Sequence, residues 1–176
     1  MSRLPNAPGV TRLHRDPTRP VFALTETVIG ACQRRLHGAT LGAHEKVVYL
    51  AGVKRPDVWI ATTAIRPKAR TTQGSFSTTF AANAAVVAFL SDAGLSLLGQ
   101  VHTHPGRFVD HSDGDDEGAF MPTENYLSIV VPNYGRQGML PLERCGVHRY
   151  EVGMFRRIAD DELASHVCVV PLAKDF

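Results

Sequence analysis

Cysteine is scarce in this chain. Its three copies, Cys32, Cys145 and Cys168, stand far apart and form no CxxC pair. An odd, dispersed set argues against a disulfide framework and gives no support to a thiolate zinc site; it predicts buried, reduced thiols. Long apolar runs are missing as well, so no window reaches the length a bilayer span needs. The opening residues, MSRLPNAPGVTRLHRDPTRP, hold no apolar segment of the secretory kind, so the expected location is cytoplasmic. Charge of one sign is not in excess: a net charge of +2 argues against a nucleic-acid binder held by bulk electrostatics. P-loop, GxGxxG and nucleophile-elbow patterns are all absent, and no segment repeats.

What is present fits one domain with a substantial core: 176 residues, 44% of them hydrophobic and 20% charged. Residues 1–20, rich in Pro and Arg, read as an extended arm, and 21–176 as a single domain. Apolar residues at helical spacing (Val28, Cys32, Leu36) predict an amphipathic helix from Leu24 to Leu36, capped by Thr25 or Thr27. A turn-rich break over 37–44 follows. Residues 45–53 and 58–65 read as strands, and 67–79 as a loop or irregular edge strand. The Ala-rich stretch 80–93 reads as a second helix ending before Gly94. Strands are expected at 95–104, 126–131, 146–155 and 166–171. Few helices, many short strands and no strict βα alternation predict an α+β domain on one mixed sheet.

The chemistry concentrates in QVHTHPGRFVDHSDGDDEGAF, residues 100–120, where five of the 17 acids lie (Asp110, Asp113, Asp115, Asp116, Glu117). Alternate residues of a strand share a face, so Gln100, His102 and His104 point the same way at a strand end. Pro105 biases His104 toward extended geometry and ends the strand. The loop behind it can return an acid to the same place. Two imidazoles and one carboxylate leave one tetrahedral position open, the composition of a catalytic zinc site. Spacing alone does not choose between Asp113, Asp115 and Asp116. His111 reads as a loop residue packed against the site.

The residues His102-Thr-His104, seven more, Ser112, two more and Asp115 fit HxH-x7-SxxD. Upstream, Glu45-Lys-Val-Val-Tyr-Leu-Ala-Gly opens a strand with an acid. Together they resemble the JAMM motif of the MPN-domain (JAB) metallopeptidases, a likeness that spans about Leu24 to Val170. The resemblance implies a cytidine-deaminase-like curved mixed sheet flanked by two main helices, and one zinc ion per chain. It implies His102, His104 and Asp115 as metal ligands and selects Asp115 over its neighbours. Glu45 would be the general acid/base and Ser112 the hydroxyl that stabilises the oxyanion. It also implies a peptide or isopeptide bond after the tail of a ubiquitin-like protein as the substrate.

In detail HEKVVYLAG, GQVHTHPG and YLSIVVPNYG resemble the prokaryotic branch encoded beside ubiquitin-activating and ubiquitin-conjugating enzyme homologues, in bacterial antiphage operons. The implied partners are a ubiquitin-like protein, its conjugates and those enzymes; no nucleic acid or membrane is implied. A JAB-type hydrolase of a sulfur-carrier protein or small amide is the alternative, and a non-catalytic MPN module a distant third. Part of 67–79, polar and β-compatible, is the expected edge for the substrate tail. Cys145 and His148 face opposite ways on an expected strand and do not read as a catalytic pair. Lys54, Arg55, Arg66, Lys68 and Arg70 read as a solvated basic face.

Overall fold

The strands and helices below come from a computed structural model that describes residues 19–37 and 43–171. In chain order they are β1 (Val21–Thr25), α1 (Glu26–Leu36), β2 (Val47–Lys54), β3 (Val58–Ile65), β4 (Ala69–Thr71), β5 (Phe76–Thr78) and α2 (Phe80–Asp92). There follow β6 (Ser96–Thr103), α3 (Asp113–Gly118), β7 (Leu127–Val131), β8 (Gly146–Glu151), β9 (Met154–Arg157), α4 (Leu163–His166) and β10 (Val167–Val170). Eight strands make one sheet in the order β10-β1-β3-β2-β6-β7-β8-β9, and β4 and β5 pair separately. The sheet is mixed: β1 runs parallel to β3 and β10, β6 parallel to β7, and the other neighbours are antiparallel.

The central strand β2 explains its own sequence. Val48 and Leu50 point into the core beneath α1, while Val47, Tyr49 and Ala51 point to the opposite face against Val86 and Leu90 of α2. A strand covered on both faces must be apolar at every position, which is why VVYLA does not alternate. Each such fully buried Val or Leu stabilises the fold by roughly 1.5–3 kcal/mol.

Two expectations change at this level. The helix begins at Glu26 rather than Leu24, and the residues before it are a strand. Leu24 lies four positions before Val28, so it continues the helical stripe in sequence. In three dimensions Phe22 and Leu24 bury between β3 and β10, and Thr25 ends the strand by capping the helix (Val28 N–H to Thr25 Oγ1, 3.2 Å). The single strand expected at 146–155 is a hairpin, because Val152 and Gly153 both take positive φ (50° and 85°). Such a turn normally announces itself by Asn-Gly or Asp-Gly, and Val at its first position hides it. The region 67–79 is the β4–β5 hairpin. The short helices α3 and α4 join the two main ones. Of the thiols, Cys32 and Cys145 are buried, with burial pushing both up to about 12, but Cys168 is exposed.

The arm expected at residues 1–20 lies outside the described residues up to 18; Arg19 pairs with Glu151, and Pro20 offers its carbonyl to Arg149 at 3.5 Å. Much of the break at 37–44 is likewise outside them. Among the described residues no helix is long and apolar enough to cross a membrane.

Candidate metal centre

His102 sits one residue from the end of β6, in the middle of the sheet. It pairs with Val47 of β2 on one side and Val130 of β7 on the other. Its face is the one that α2 covers. His104 lies one residue past the strand and is held there by backbone: its N–H donates to Val131 (3.0 Å) and its carbonyl accepts from Tyr134 (2.8 Å). Continuing the β2–β6 register by two residues sets Glu45 across from His104. Lys46 and Thr103 lock that extension, through Lys46 N–H to Thr103 Oγ1 (3.0 Å) and Thr103 N–H to the Lys46 carbonyl (3.1 Å).

The carboxylate arrives on α3. Ser112 caps this helix, and Asp115 at its third position completes a capping box: Ser112 N–H donates to Asp115 Oδ2 (2.8 Å), and Asp115 N–H donates to Ser112 Oγ (3.3 Å). The Ser112 hydroxyl also donates to Asp115 Oδ2 (2.7 Å). The acidic run SDGDDEG is therefore a helix start as well as the source of the Asp115 carboxylate, since carboxylates favour the first turn. The box selects Asp115; Asp113 is exposed, and Asp116 is exposed and taken by His111. The incoming loop passes so close over β8 that a Cβ on Gly146 would lie 1.8 Å from the Val109 carbonyl oxygen. Only glycine fits under that backbone.

His102, His104 and Asp115 are all buried, and one ligand atom from each lies within 4.8 Å of the others. Asp115 Oδ1 is 3.2 Å from His102 Nε2, and Oδ2 is 3.2 Å from His104 Nε2. The His104 Nδ1 contact is to the Phe108 carbonyl (3.0 Å), which can only accept, so Nδ1 carries the proton. In the neutral ring Nε2 is then a lone pair aimed at a carboxylate oxygen. Two electron-rich atoms face each other, and a cation belongs between them. His102 makes the same point differently: it is fully buried, and neither ring nitrogen has an aligned hydrogen-bond partner. A buried imidazole left so is costly unless a metal takes it. The donor set fits a borderline divalent ion such as zinc, and the Phe108 carbonyl is the outer partner that orients a ligating histidine.

The electrostatics agree. Burial resists ionisation of Asp115, but the imidazoles of His102 and His104 and the Ser112 backbone overcome it and hold the carboxyl well below the usual range. Burial lowers His102, with Asp115 opposing. Burial also acts to lower His104, but Asp115 and Glu45 outweigh it and raise it. Glu45 is 3% exposed and pushed up to about 7, chiefly by burial, with His104 lowering and Asp115 raising it. A carboxyl poised near neutrality beside a metal-type cluster can exchange protons at working pH.

A hydrogen-bonded chain runs behind the ligands on the same face. Tyr126 donates to Gln100 (3.5 Å), and Gln100 to Ser128 (3.3 Å). Ser128 bonds His111 Nε2 (2.9 Å), and His111 Nδ1 bonds Asp116 (2.6 Å). Every donor finds an acceptor if Ser128 donates to His111. The chain ties α3, and with it Asp115, to the sheet. The His148 ring lies tilted against that of His111, 4.3 Å between ring centres, and burial first and His111 second push its pKa down to about 3.

Glu45, His102, His104, Ser112 and Asp115 thus meet at one place. His111 packs against the site. Cys145 and His148 do not form a pair, because the thiol turns to the Met139 carbonyl (3.5 Å). Sequence reasoning missed Ser128, and it weighed His148 only against Cys145 rather than beside His111. A polar residue inside the apolar run LSIVV was the available signal for the first. Phe76, whose ring lies 5.5 Å from that of His102, gave none.

No protein-family model matches this chain. The probable metalloprotease y4jG of Sinorhizobium fredii (strain NBRC 101917 / NGR234) is 30% identical over 119 residues, which is 65% of this chain and 73% of that protein. Among solved structures, protein DSY2949 from Desulfitobacterium hafniense superposes with a TM-score of 0.63 at 15% identity, over 86% of this chain and 94% of that one. AF2198, a JAB1/MPN domain protein from Archaeoglobus fulgidus, matches 85% of this chain and 98% of its own, at 14% identity and a TM-score of 0.49.

Proposed function

The chain belongs to the JAMM/MPN (JAB) metalloprotease family and has its α+β fold; on that premise we propose that it is a zinc-dependent peptidase or isopeptidase cutting after the C-terminal tail of a ubiquitin-like protein. The observation that carries this reading is the buried convergence of His102, His104 and Asp115, with Glu45 beside them poised near neutral pH.

His102 Nε2, His104 Nε2 and an Asp115 oxygen would hold the ion. When bound, zinc supplies Lewis acidity, which acidifies water and polarises a carbonyl. Glu45 takes one proton from the attacking water as its oxygen bonds to the carbonyl carbon. It returns that proton to the amide nitrogen as the C–N bond breaks. Ser112 is proposed as the donor to the developing oxyanion, for which its O–H must turn away from Asp115 Oδ2. The β4–β5 hairpin is proposed as the edge along which the tail lies. Two contacts support it: Glu45 N–H donates to the Thr72 carbonyl (2.8 Å), and Phe76 packs on His102. The hairpin therefore borders the site, and strand addition supplies main-chain bonds to an extended peptide. The proposed partners are the ubiquitin-like protein, its conjugates and the activating and conjugating enzymes of an antiphage operon.

The test is intact-mass analysis of a ubiquitin-like protein bearing a C-terminal extension, incubated with zinc-loaded wild type and with Glu45→Gln. Cleavage after the tail by wild type alone is the expected outcome. Zinc bound without such cleavage, together with turnover of a small amide, assigns the site to another amide instead.

A further inference from the structure

Beside the ligand loop lies a second concave site that the proposed chemistry does not use. Arg107, Arg136 and Arg144 line it together with Pro132, Asn133 and Gln137. The three arginines come from three separate stretches: the loop after His104, the turn after β7, and the short 3-10 turn Leu142–Arg144. All three are exposed at this surface, and among the described residues no acidic side chain lines it. Arg107 and Arg144 make no ion pair among the described residues.

The turn that presents Arg136 is held to the metal centre by backbone. Asn133 N–H donates to the Gly106 carbonyl (2.9 Å) and Tyr134 N–H to that of His104 (2.8 Å). Asn133 and Tyr134 both take positive φ (54° and 55°), a costly conformation for residues with side chains. Tyr134 is fixed by its hydroxyl on the Gln73 carbonyl (2.8 Å), and the Arg136 guanidinium lies 5.7 Å from its ring. The basic concavity is therefore built on the same backbone that positions His104.

We propose that this arginine site binds an acidic segment of the polypeptide substrate, close to the bond that is cut. The inference rests on the peptidase reading for its choice of ligand. Three guanidinia in one concavity that no carboxylate lines among the described residues are complementary to clustered Asp and Glu side chains, which they can engage by paired N–H donors. A nucleic acid is the poorer match: among the described residues no aromatic side chain lines the site to stack a base, and the net charge is only +2.

Fluorescence anisotropy on the zinc-loaded Glu45→Gln chain tests this without turnover. The probes are a labelled peptide with four consecutive glutamates, the same peptide with four glutamines, and an oligothymidylate of equal charge. Combining Arg107→Gln, Arg136→Gln and Arg144→Gln should weaken the glutamate peptide about tenfold or more, and raised salt should do the same. Arg107→Gln alone, at an exposed site, should leave the melting curve unchanged and weaken binding about threefold. Changing Arg55, which lies outside both this site and the β4–β5 hairpin, to Gln should have no effect. Equal binding of the glutamine peptide, or an unchanged affinity in the triple variant, overturns the proposal. Tighter binding of the oligothymidylate overturns it in favour of a nucleic acid. Failure of the cleavage assay with acidic-peptide binding intact would instead count against the peptidase reading alone.

Discussion

Glu45→Gln should make the metal-free protein more stable while abolishing its turnover. Burial pushes the Glu45 carboxyl from its ordinary 4.5 up to about 7. A carboxyl raised in this way binds its proton more tightly in the folded chain than in the unfolded one. The stability it contributes is fully present below pH 4.5 and is lost as pH rises through about 7. At pH 8 the buried charge then costs the folded state about 3 kcal/mol relative to a neutral isostere, and at pH 5 less than about 1 kcal/mol. Glutamine is that isostere. Urea denaturation of chelator-treated wild type and variant at the two pH values measures the difference. The variant's advantage should grow by about 2.5 kcal/mol from pH 5 to pH 8 on account of the Glu45 carboxyl, since titration of groups that do not interact with Glu45 cancels in the subtraction. An advantage that stays flat, or reverses, would mean that Glu45 is not held near neutrality and is not poised as the base. Turnover of the zinc-loaded variant that matches wild type would refute the mechanism directly.

His104→Ala should lose zinc and activity together, with metal affinity by mass spectrometry of the metal content falling by more than the roughly 100-fold that removing a mere supporting bond can cost. Ser112→Ala removes a helix cap worth about 1 kcal/mol and two bonds to Asp115. If Ser112 also serves the oxyanion, kcat should fall about 100-fold at saturating zinc; a fall in zinc affinity alone would confine it to positioning Asp115. Gly146→Ala drives a Cβ into the Val109 carbonyl and should cost more than about 2 kcal/mol and displace the ligand loop, whereas Gly118→Ala meets nothing within 4 Å and should melt like wild type. Proline substitutions across Ala69–Thr78 should raise KM for a tail substrate, and an unchanged KM would remove the hairpin from the binding edge.

The sequence by itself pointed to the residues that converge at the candidate site and determined most of the scaffold. Strand alternation put His102 and His104 on one face, and the apolar run of β2 marked a strand. The resemblance of HxH-x7-SxxD to the JAMM motif selected Asp115, which spacing alone did not. These features were legible because they are local: side-chain periodicity and motif register need no knowledge of the rest of the chain. Tertiary structure decided what depends on distant partners. It turned Leu24 from the head of a helix into a strand residue, because β3 and β10 receive it. It split 146–155 at a turn whose Val152 carries no turn signal. It made Ser112 and Asp115 a capping box, so the hydroxyl expected at the oxyanion also holds the ligand in place. It brought Ser128 and His148 behind the metal centre, and three arginines from separate stretches into one concavity beside it. None of those residues is near the others in sequence, and only the packing of the loops against β6, β7 and β8 sets the distances between them.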